Sequence, residues 1–340
     1  MDEHGVCRFC REAELEPWAR QLEGKDRQLA EIMQSARGNT GGYDCIVPFS
    51  GGKDSAYVLY LAVVKYGLRA LAVNFNNGLQ TPGARRNLRD FPRRLGVPLV
   101  TLEPAWPLMR RLYARFLEEA GEFCSACNAM GYLIIATFCL REWQRLGYAP
   151  LTLGGWSSRY EAEPDVYTFD IAYFAEVVGE DLLREVAGSS LVDGNCLEVL
   201  RGLSDPRTVN LDGSGPIRYL MVPDYLPWDP VDITRELVER AGWWAPEEAG
   251  EDAHFDCLGT PVSLYLERRK YGFSQKTISL GARVRDGLLT RKEALAAVES
   301  PQVVEPSEMD RFLEMLHLDR QRINFNGKWH PERQRLQDRA

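Results

Sequence analysis

An apolar run, Asp44 to Phe49 (DCIVPF), ends in Ser50-Gly-Gly-Lys-Asp-Ser55, and the residues after it, Ala56 to Val64, are apolar almost all round. The run reads as a buried strand, and the segment after it as a helix packed inside a sheet protein. Two glycines between them let backbone N–H groups turn toward an anion with no Cβ in the way. The helix presents its own unpaired N–H groups and positive dipole end to the same point. Lys53 adds a point charge, the hydroxyls of Ser50 and Ser55 can donate, and Asp54 is placed to hold Mg²⁺ or to cap the helix. The spacing fits neither GxxxxGK[ST] nor GxGxxG.

The same alternation continues down the chain. Leu68 to Phe75 reads as strand, Arg85 to Leu95 as helix and Pro98 to Leu102 as strand. Trp106 to Ala120 and Asn128 to Leu146 read as helices, and Pro150 to Gly154 as a further strand. Strands alternating with helices predict an α/β fold, a parallel sheet flanked by helices, over residues 41–225. Residues 1–40 read as a cysteine hook and an amphipathic helix, with Leu15, Trp18, Ala19, Leu22, Leu29, Ile32 and Met33 at helical spacing. Residues 226–340 read as helical. Asp229-Pro230 opens a helix that closes near Gly242, Thr290 to Glu293 forms a capping box, and Met309, Phe312, Leu313 and Leu316 share one face.

Composition narrows the function classes. A chain of 340 residues has room for about two domains, and 45% hydrophobic with 26% charged residues is the balance of a globular chain, not a disordered or collagenous one. No apolar run approaches the ~20 residues a bilayer demands and the opening MDEHGVCRFC is not a signal peptide, so the expected location is cytoplasmic and no membrane partner is expected. The net charge of −8 argues against a general nucleic-acid binder.

Eight cysteines in such a chain matter by spacing rather than number. Cys7-Arg-Phe-Cys10 and Cys124-Ser-Ala-Cys127 are two CxxC pairs, and two such pairs complete a tetrahedral four-thiolate site for a structural Zn²⁺. A redox pair and unpaired thiols are the other readings. Cys45 and Cys139 lie in apolar text and read as core. Asp252-Ala-His-Phe-Asp-Cys257 concentrates one of only four histidines beside carboxylates and a thiol. There His254 or Asp256 can manage a proton and Cys257 can line a site. The plainer reading is a loop-to-helix cap, with Asp256 or Thr260 capping Val262 to Tyr265.

With these residues in hand, the chain resembles the PP-loop (N-type) ATP pyrophosphatases, whose hallmark is SGGxDS at the end of the first strand. The resemblance implies cleavage of ATP between the α- and β-phosphates. Pyrophosphate would be cradled by Ser50, Gly51, Gly52, Asp54 and Ser55, with Lys53 supporting the developing charge and Mg²⁺ accompanying the nucleotide. It further implies that adenine lies near Phe49 and Val73-Asn74, and that Gly154-Gly155 closes the nucleotide pocket. Three stretches are similar to the N-acetyl sugar amidotransferase branch: the GVCRFC opening, Cys124-x-x-Cys127 before a long helix, and Arg269-Lys-Tyr-Gly272 through Gly287-Leu-Leu-Thr-Arg-Lys-Glu293.

That branch implies adenylation of an acetamido oxygen on a nucleotide sugar and its replacement by ammonia, in cell-surface polysaccharide biosynthesis. The ammonia would come from glutaminase and cyclase-like partner subunits, because no glutaminase signature with a nucleophilic cysteine is found in the chain. Lys270, Lys276 and Arg283 would then contact the substrate diphosphate. The rival within the same superfamily is a sulfurtransferase thiolating tRNA or a small molecule. Cys124, Cys127 and a distant third cysteine, Cys257 or Cys196, would there hold a [4Fe–4S] cluster.

Overall fold

The computed structural model describes residues 8–15, 18–38, 41–156, 171–194, 215–247, 255–299 and 306–329. The N-terminal stretch is broken into α1 (Arg8–Leu15), α2 (Trp18–Gln21) and α3 (Lys25–Ala36). Gly24, at φ 78°, takes a left-handed turn that no continuous helix contains, which is why the expected single amphipathic helix divides. Among the described residues of this stretch, those buried in a core cluster are on α3: Leu29, Met33 and Ala36.

The sheet begins with β1 (Cys45–Pro48), followed by α4 (Lys53–Tyr60), which runs on to Lys65 as a π-helical turn. Next come β2 (Ala70–Phe75), α5 (Pro82–Arg94), β3 (Leu99–Leu102), α6 (Trp106–Ala120), α7 (Cys124–Leu146) and β4 (Leu151–Gly154). Helix α8 (Ile171–Ala187) precedes the last strand, β5 (Arg218–Met221). All pairings are parallel, in the order β3-β2-β1-β4-β5. The α/β fold expected from the alternation is the fold observed. Strand β5 escapes a pattern reading because Arg218 and Tyr219 interrupt its apolar text and it sits at the sheet edge, with its first two residues half-exposed.

Period-two alternation assigns the two faces. Cys45 and Val47 of β1 pack in one cluster with Ala56 and Leu59 of α4, Leu88 and Phe91 of α5, and α3. Ile46 points the other way, with Leu71, Val73 and Cys139 of α7. Helix α7 spans 23 residues and is long and apolar enough, by length and composition, to cross a membrane, contrary to the expectation that no run reaches that length. Its apolar side is spent on the fold: Ala126, Ala129, Met130, Leu133 and Ile134 are buried against α6 and α8. It also starts four residues earlier than its apolar pattern, which places Cys124 and Cys127 together on its first turn.

Helix α9 (Pro230–Glu236) starts as read, with the Asp229 carboxylate accepting from the Val231 N–H at 2.9 Å, and the helix closes through a π-turn at Gly242, φ 68°. The chain then adds α10 (Thr260–Tyr271), α11 (Gln275–Arg285), α12 (Arg291–Glu299) and α13 (Pro306–Leu316). The Thr290–Glu293 capping box is reciprocal, at 2.8 and 3.2 Å. Val262 and Leu266 of α10 and Met309 and Phe312 of α13 are buried in the cluster that holds α6 and α7.

The strand order reverses direction at β1, whose neighbours β2 and β4 carry the chain to opposite sides. In open parallel sheets, ligands bind outside the carboxyl ends of the strands at this switch point. Here the ends of β1 and β4 meet backbone to backbone. A Cβ on Gly155 would stand 2.9 Å from the carbonyl of Asp54. Gly155→Ala should therefore cost about 1–3 kcal/mol, whereas Gly41→Ala, which meets nothing within 4 Å, should change chemical denaturation by less than about 0.5 kcal/mol.

Candidate active site

The hexapeptide Ser50–Ser55 occupies the carboxyl end of β1. The Phe49 N–H donates to the Val73 carbonyl at 2.9 Å, extending the ladder by one residue before the chain turns. Gly51 turns it, at φ 89°, and a Cβ there would lie 2.6 Å from the Ala84 carbonyl oxygen of α5. The Gly51 carbonyl is pulled inward by two side-chain donors, Asn87 Nδ2 and Trp243 Nε1, each at 3.0 Å. The serines knit the turn. Ser55 Oγ accepts from the Ser50 N–H and donates to the Gly52 carbonyl, both at 3.2 Å, and Ser50 Oγ accepts from the Gly52 N–H at 3.2 Å.

Lys53 and Asp54 open α4. Lys53 is 4% exposed, and its ammonium meets Asp54 Oδ2 at 2.7 Å, while Asp54 Oδ1 accepts from Trp228 Nε1 at 2.9 Å. The positive charge thus lies inside the loop's base, neutralised by the neighbouring carboxylate. Gly154 and Gly155 stand beside this turn: a side chain on Gly154 would collide with the Tyr219 hydroxyl, and one on Gly155 with α4. Phe49 and Val73 are core residues. The Phe49 ring stacks on Phe91 with centroids 6.1 Å apart, so its side chain belongs to the core beneath the strand end. Asn74 is also buried and accepts from Gln80 Nε2 at 2.8 Å.

The carboxylate facing the loop arrives from far downstream. Residues 255–258 lie antiparallel along 79–81: the Leu258 N–H donates to the Leu79 carbonyl at 2.7 Å and the Thr81 N–H to the Asp256 carbonyl at 3.2 Å. Thr81 Oγ1 adds a bond to the Phe255 carbonyl at 2.6 Å. This strap sets Asp256 over the turn, where Oδ2 accepts from Ser50 Oγ at 3.0 Å and sits 2.7 Å from the position a Gly52 Cβ would occupy. Asp256 is therefore not a helix cap; α10 begins after Gly259 without a side-chain cap. His254 lies outside the described residues.

Successive residues of an extended strap point to opposite sides, and Cys257 accordingly turns toward α7. Asn77 Nδ2 donates to Cys127 Sγ at 3.3 Å and also faces Cys257. Cys124 donates to Ser263 Oγ at 3.0 Å and lies near both other thiols. Burial holds all three thiols above their ordinary range, Cys257 to about 12, so they are protonated at neutral pH. The structure thus gathers Cys124, Cys127 and Cys257. Cys10 lies on α1, and Cys7 and Cys196 lie outside the described residues. Among the described residues no three His, Cys, Asp or Glu side chains are arranged to hold a metal ion. As placed, the thiols do not fit a resident metal.

Of the three basic residues expected at a substrate diphosphate, Lys270 is engaged inside the fold. Lys270 is buried, and its ammonium donates to the carbonyls of Ala120 and Lys328, tying α10 to the end of α6 and to the chain after α13. Arg283 is buried on α11, and Lys276 is half-buried in that helix's first turn. The residues that shape the loop and escaped the sequence reading are Asn87, Trp228 and Trp243. The one signal for them was an asparagine at a core-facing position of α5 and tryptophans flanking the α9 caps.

Residues 253–330 match the family model described as "LPS biosynthesis protein WbpG-like, C-terminal domain". Over 285 residues the chain is 25% identical to the uncharacterized protein MJ1599 of Methanocaldococcus jannaschii, covering 83% of this chain and 82% of that one. The segment similar to the lipopolysaccharide-biosynthesis domain is the one that carries Asp256 to the loop and Cys257 to the thiols.

Burial lowers Lys270 from 10.5 to about 8, against the opposing pull of Glu122. Between those values the unfolded chain holds the proton that the folded chain has released, so this residue's contribution to stability rises as pH climbs from 8 toward 10.5. In denaturant titrations, the wild-type stability minus that of Lys270→Met should be larger at pH 9.5 than at pH 7.5.

Proposed function

We propose that this chain is an AMP- and pyrophosphate-forming amidotransferase of the PP-loop ATP pyrophosphatase type, acting on the acetamido group of an N-acetylated nucleotide sugar in cell-surface polysaccharide biosynthesis. The observation that carries the reading is the Ser50–Ser55 turn, set at the switch point of a parallel sheet, where a side chain on Gly51 would collide with the Ala84 carbonyl and one on Gly52 with the Asp256 carboxylate that faces the loop. The match of residues 253–330 to a lipopolysaccharide-biosynthesis domain supports the polysaccharide setting.

The chemistry explains why ATP is consumed. An acetamido carbonyl is a poor electrophile because its nitrogen donates into it. Attack of that oxygen on the α-phosphorus forms an O-adenylate and releases pyrophosphate. Ammonia then adds to the activated carbon, AMP departs with the oxygen, and an acetamidino group remains. In this reading the Gly51 and Gly52 N–H groups, the Ser50 and Ser55 hydroxyls and the start of α4 hold the leaving pyrophosphate. Lys53 offsets its charge from below. Bound Mg²⁺ supplies charge neutralisation between phosphates and protein; Asp256, already over the loop, and Asp54 are the carboxylates that suit it. Asp256 is also placed to take the proton that incoming ammonia sheds. Residues 41–225 would serve the nucleotide and 226–340 the sugar and the ammonia-supplying glutaminase and cyclase-like subunits. Water must be kept out, since it would hydrolyse the adenylate.

One observation favours a second reading. Cys124, Cys127 and Cys257 gather on the strap residue next to Asp256. A sulfurtransferase would use the same adenylation and a sulfur nucleophile, and an iron–sulfur cluster on those thiols would require them to move from the positions they hold here. Purification without oxygen separates the two: a brown protein favours sulfur transfer, and a colourless one favours amidation.

With ATP, Mg²⁺, ammonium and an acetamido nucleotide sugar, AMP and pyrophosphate should appear in equal amounts and only when the sugar is present. Ser55→Ala should slow that release about 100-fold with little loss of fold. AMP formation unchanged in this variant would refute the loop assignment.

A further inference from the structure

Away from the phosphate loop, α6 shares a cleft of about 300 Å³ with α8 and the turn that follows α13. In a chain of net charge −8, its lining holds four arginines against two carboxylates, Glu118 and Asp181. Three of the arginines are anchored by acids. Arg111 pairs with Glu185, Arg115 with Asp181 at 3.8 Å, and Arg322 with Glu118. Each pair is charge-neutral, so the three fix guanidinium groups around the cleft and the charge left over is that of the fourth arginine.

Arg110 is different. Among the described residues it has no carboxylate partner; its guanidinium donates to His317 Nδ1. An arginine can only donate, so Nδ1 accepts in this contact and the ring's other nitrogen is left to meet a ligand. His317 is held there at φ 54°, the one non-glycine residue with positive φ among the described residues. Glycine would adopt that conformation freely, and a side chain is retained in spite of it.

We propose that this cleft is a second ligand site, for a small phosphate-bearing sugar. Guanidinium forks match phosphate oxygens in pairs, and Arg110 brings a charge not yet matched by an acid. Leu182, Leu316 and Leu318 supply an apolar floor for the body of the ligand. A volume near 300 Å³ sits at the lower limit of small-molecule pockets, suited to a sugar phosphate and too small for an entire nucleotide sugar. The walls come from both the α/β layer and the C-terminal segment, so an occupant ties the two together. The site stands apart from the adenylation reading and does not depend on it.

Calorimetric titration of the full chain with glucose 1-phosphate tests this, with glucuronate and neutral glucose as comparators. Binding of the phosphate ester, with at least tenfold weaker binding of both comparators, is the expected result. Arg110→Gln should weaken it at least tenfold. His317→Gly should do the same while leaving the thermal midpoint of the free protein unchanged or higher, because the backbone relaxes. A double variant, Ser50→Ala with Ser55→Ala, should bind as the wild type does, which separates this site from the loop. Absent binding, equal binding of glucose or glucuronate, binding indifferent to Arg110→Gln and His317→Gly, or loss in the serine variant would each overturn the proposal.

Discussion

The carbonyl of Gly51 accepts two side-chain N–H groups, from Asn87 on α5 and from Trp243 beyond α9, and the rest of the site follows from that arrangement. A peptide whose carbonyl is drawn inward turns its N–H the other way, and here that N–H, of Gly52, meets Ser50 Oγ, the hydroxyl that also donates to Asp256. Trp243 is 2% exposed, and its indole N–H has a partner, as a buried tryptophan requires. Asn87 has a further duty, exchanging bonds with the Trp244 backbone at 2.9 and 3.0 Å. The loop is thereby fixed from two elements distant in sequence, and its geometry does not wait for a ligand.

Asp256 and Asp54 divide the work that a motif reading assigns to one residue. Asp54 is engaged by the buried Lys53 and by Trp228, which makes it the counter-charge that permits a lysine inside the loop. Asp256 faces the loop at Ser50 and Gly52. Its carboxylate accepts from Ser50 Oγ at 3.0 Å. A phosphate entering there meets negative charge, so occupancy calls for a cation between them or for movement of the strap. The strap is held by three hydrogen bonds to residues 79–81, so either response is transmitted to Cys257 and its neighbours.

How far the sequence discloses this depends on the range of the interaction. The strand, glycine turn and helix around Ser50–Ser55 are local, and so are the Asp229 cap and the Thr290–Glu293 box, which is why their residue types announce them. The parallel sheet was legible because its strands alternate with helices, although β5 was not, being a short edge strand with Arg218 and Tyr219 in it. The meeting of residues 79–81 with 255–258 spans the whole α/β unit and rests on backbone bonds that any residue can make, so no pattern marks it. The inward turn of Lys270 was hidden for a related reason. In Arg268-Arg-Lys270 the residue types are alike, and only the helix phase against α6 decides which one is buried.

These interactions make the two ends of the chain mutually dependent. The glycine turn needs Trp243 to hold its carbonyl and receives its facing carboxylate from residue 256, while α10 and α13 find their hydrophobic partners on α6 and α7. A relative of this chain would therefore be expected to resemble it along its length rather than over the loop alone, and the alignment to the Methanocaldococcus protein covers 83% of one chain and 82% of the other. The C-terminal helices are not an appendage to the α/β layer. The strap before them sets a carboxylate over the loop, bonded to the Ser50 hydroxyl, and the same packing brings three thiols to the strap's other side.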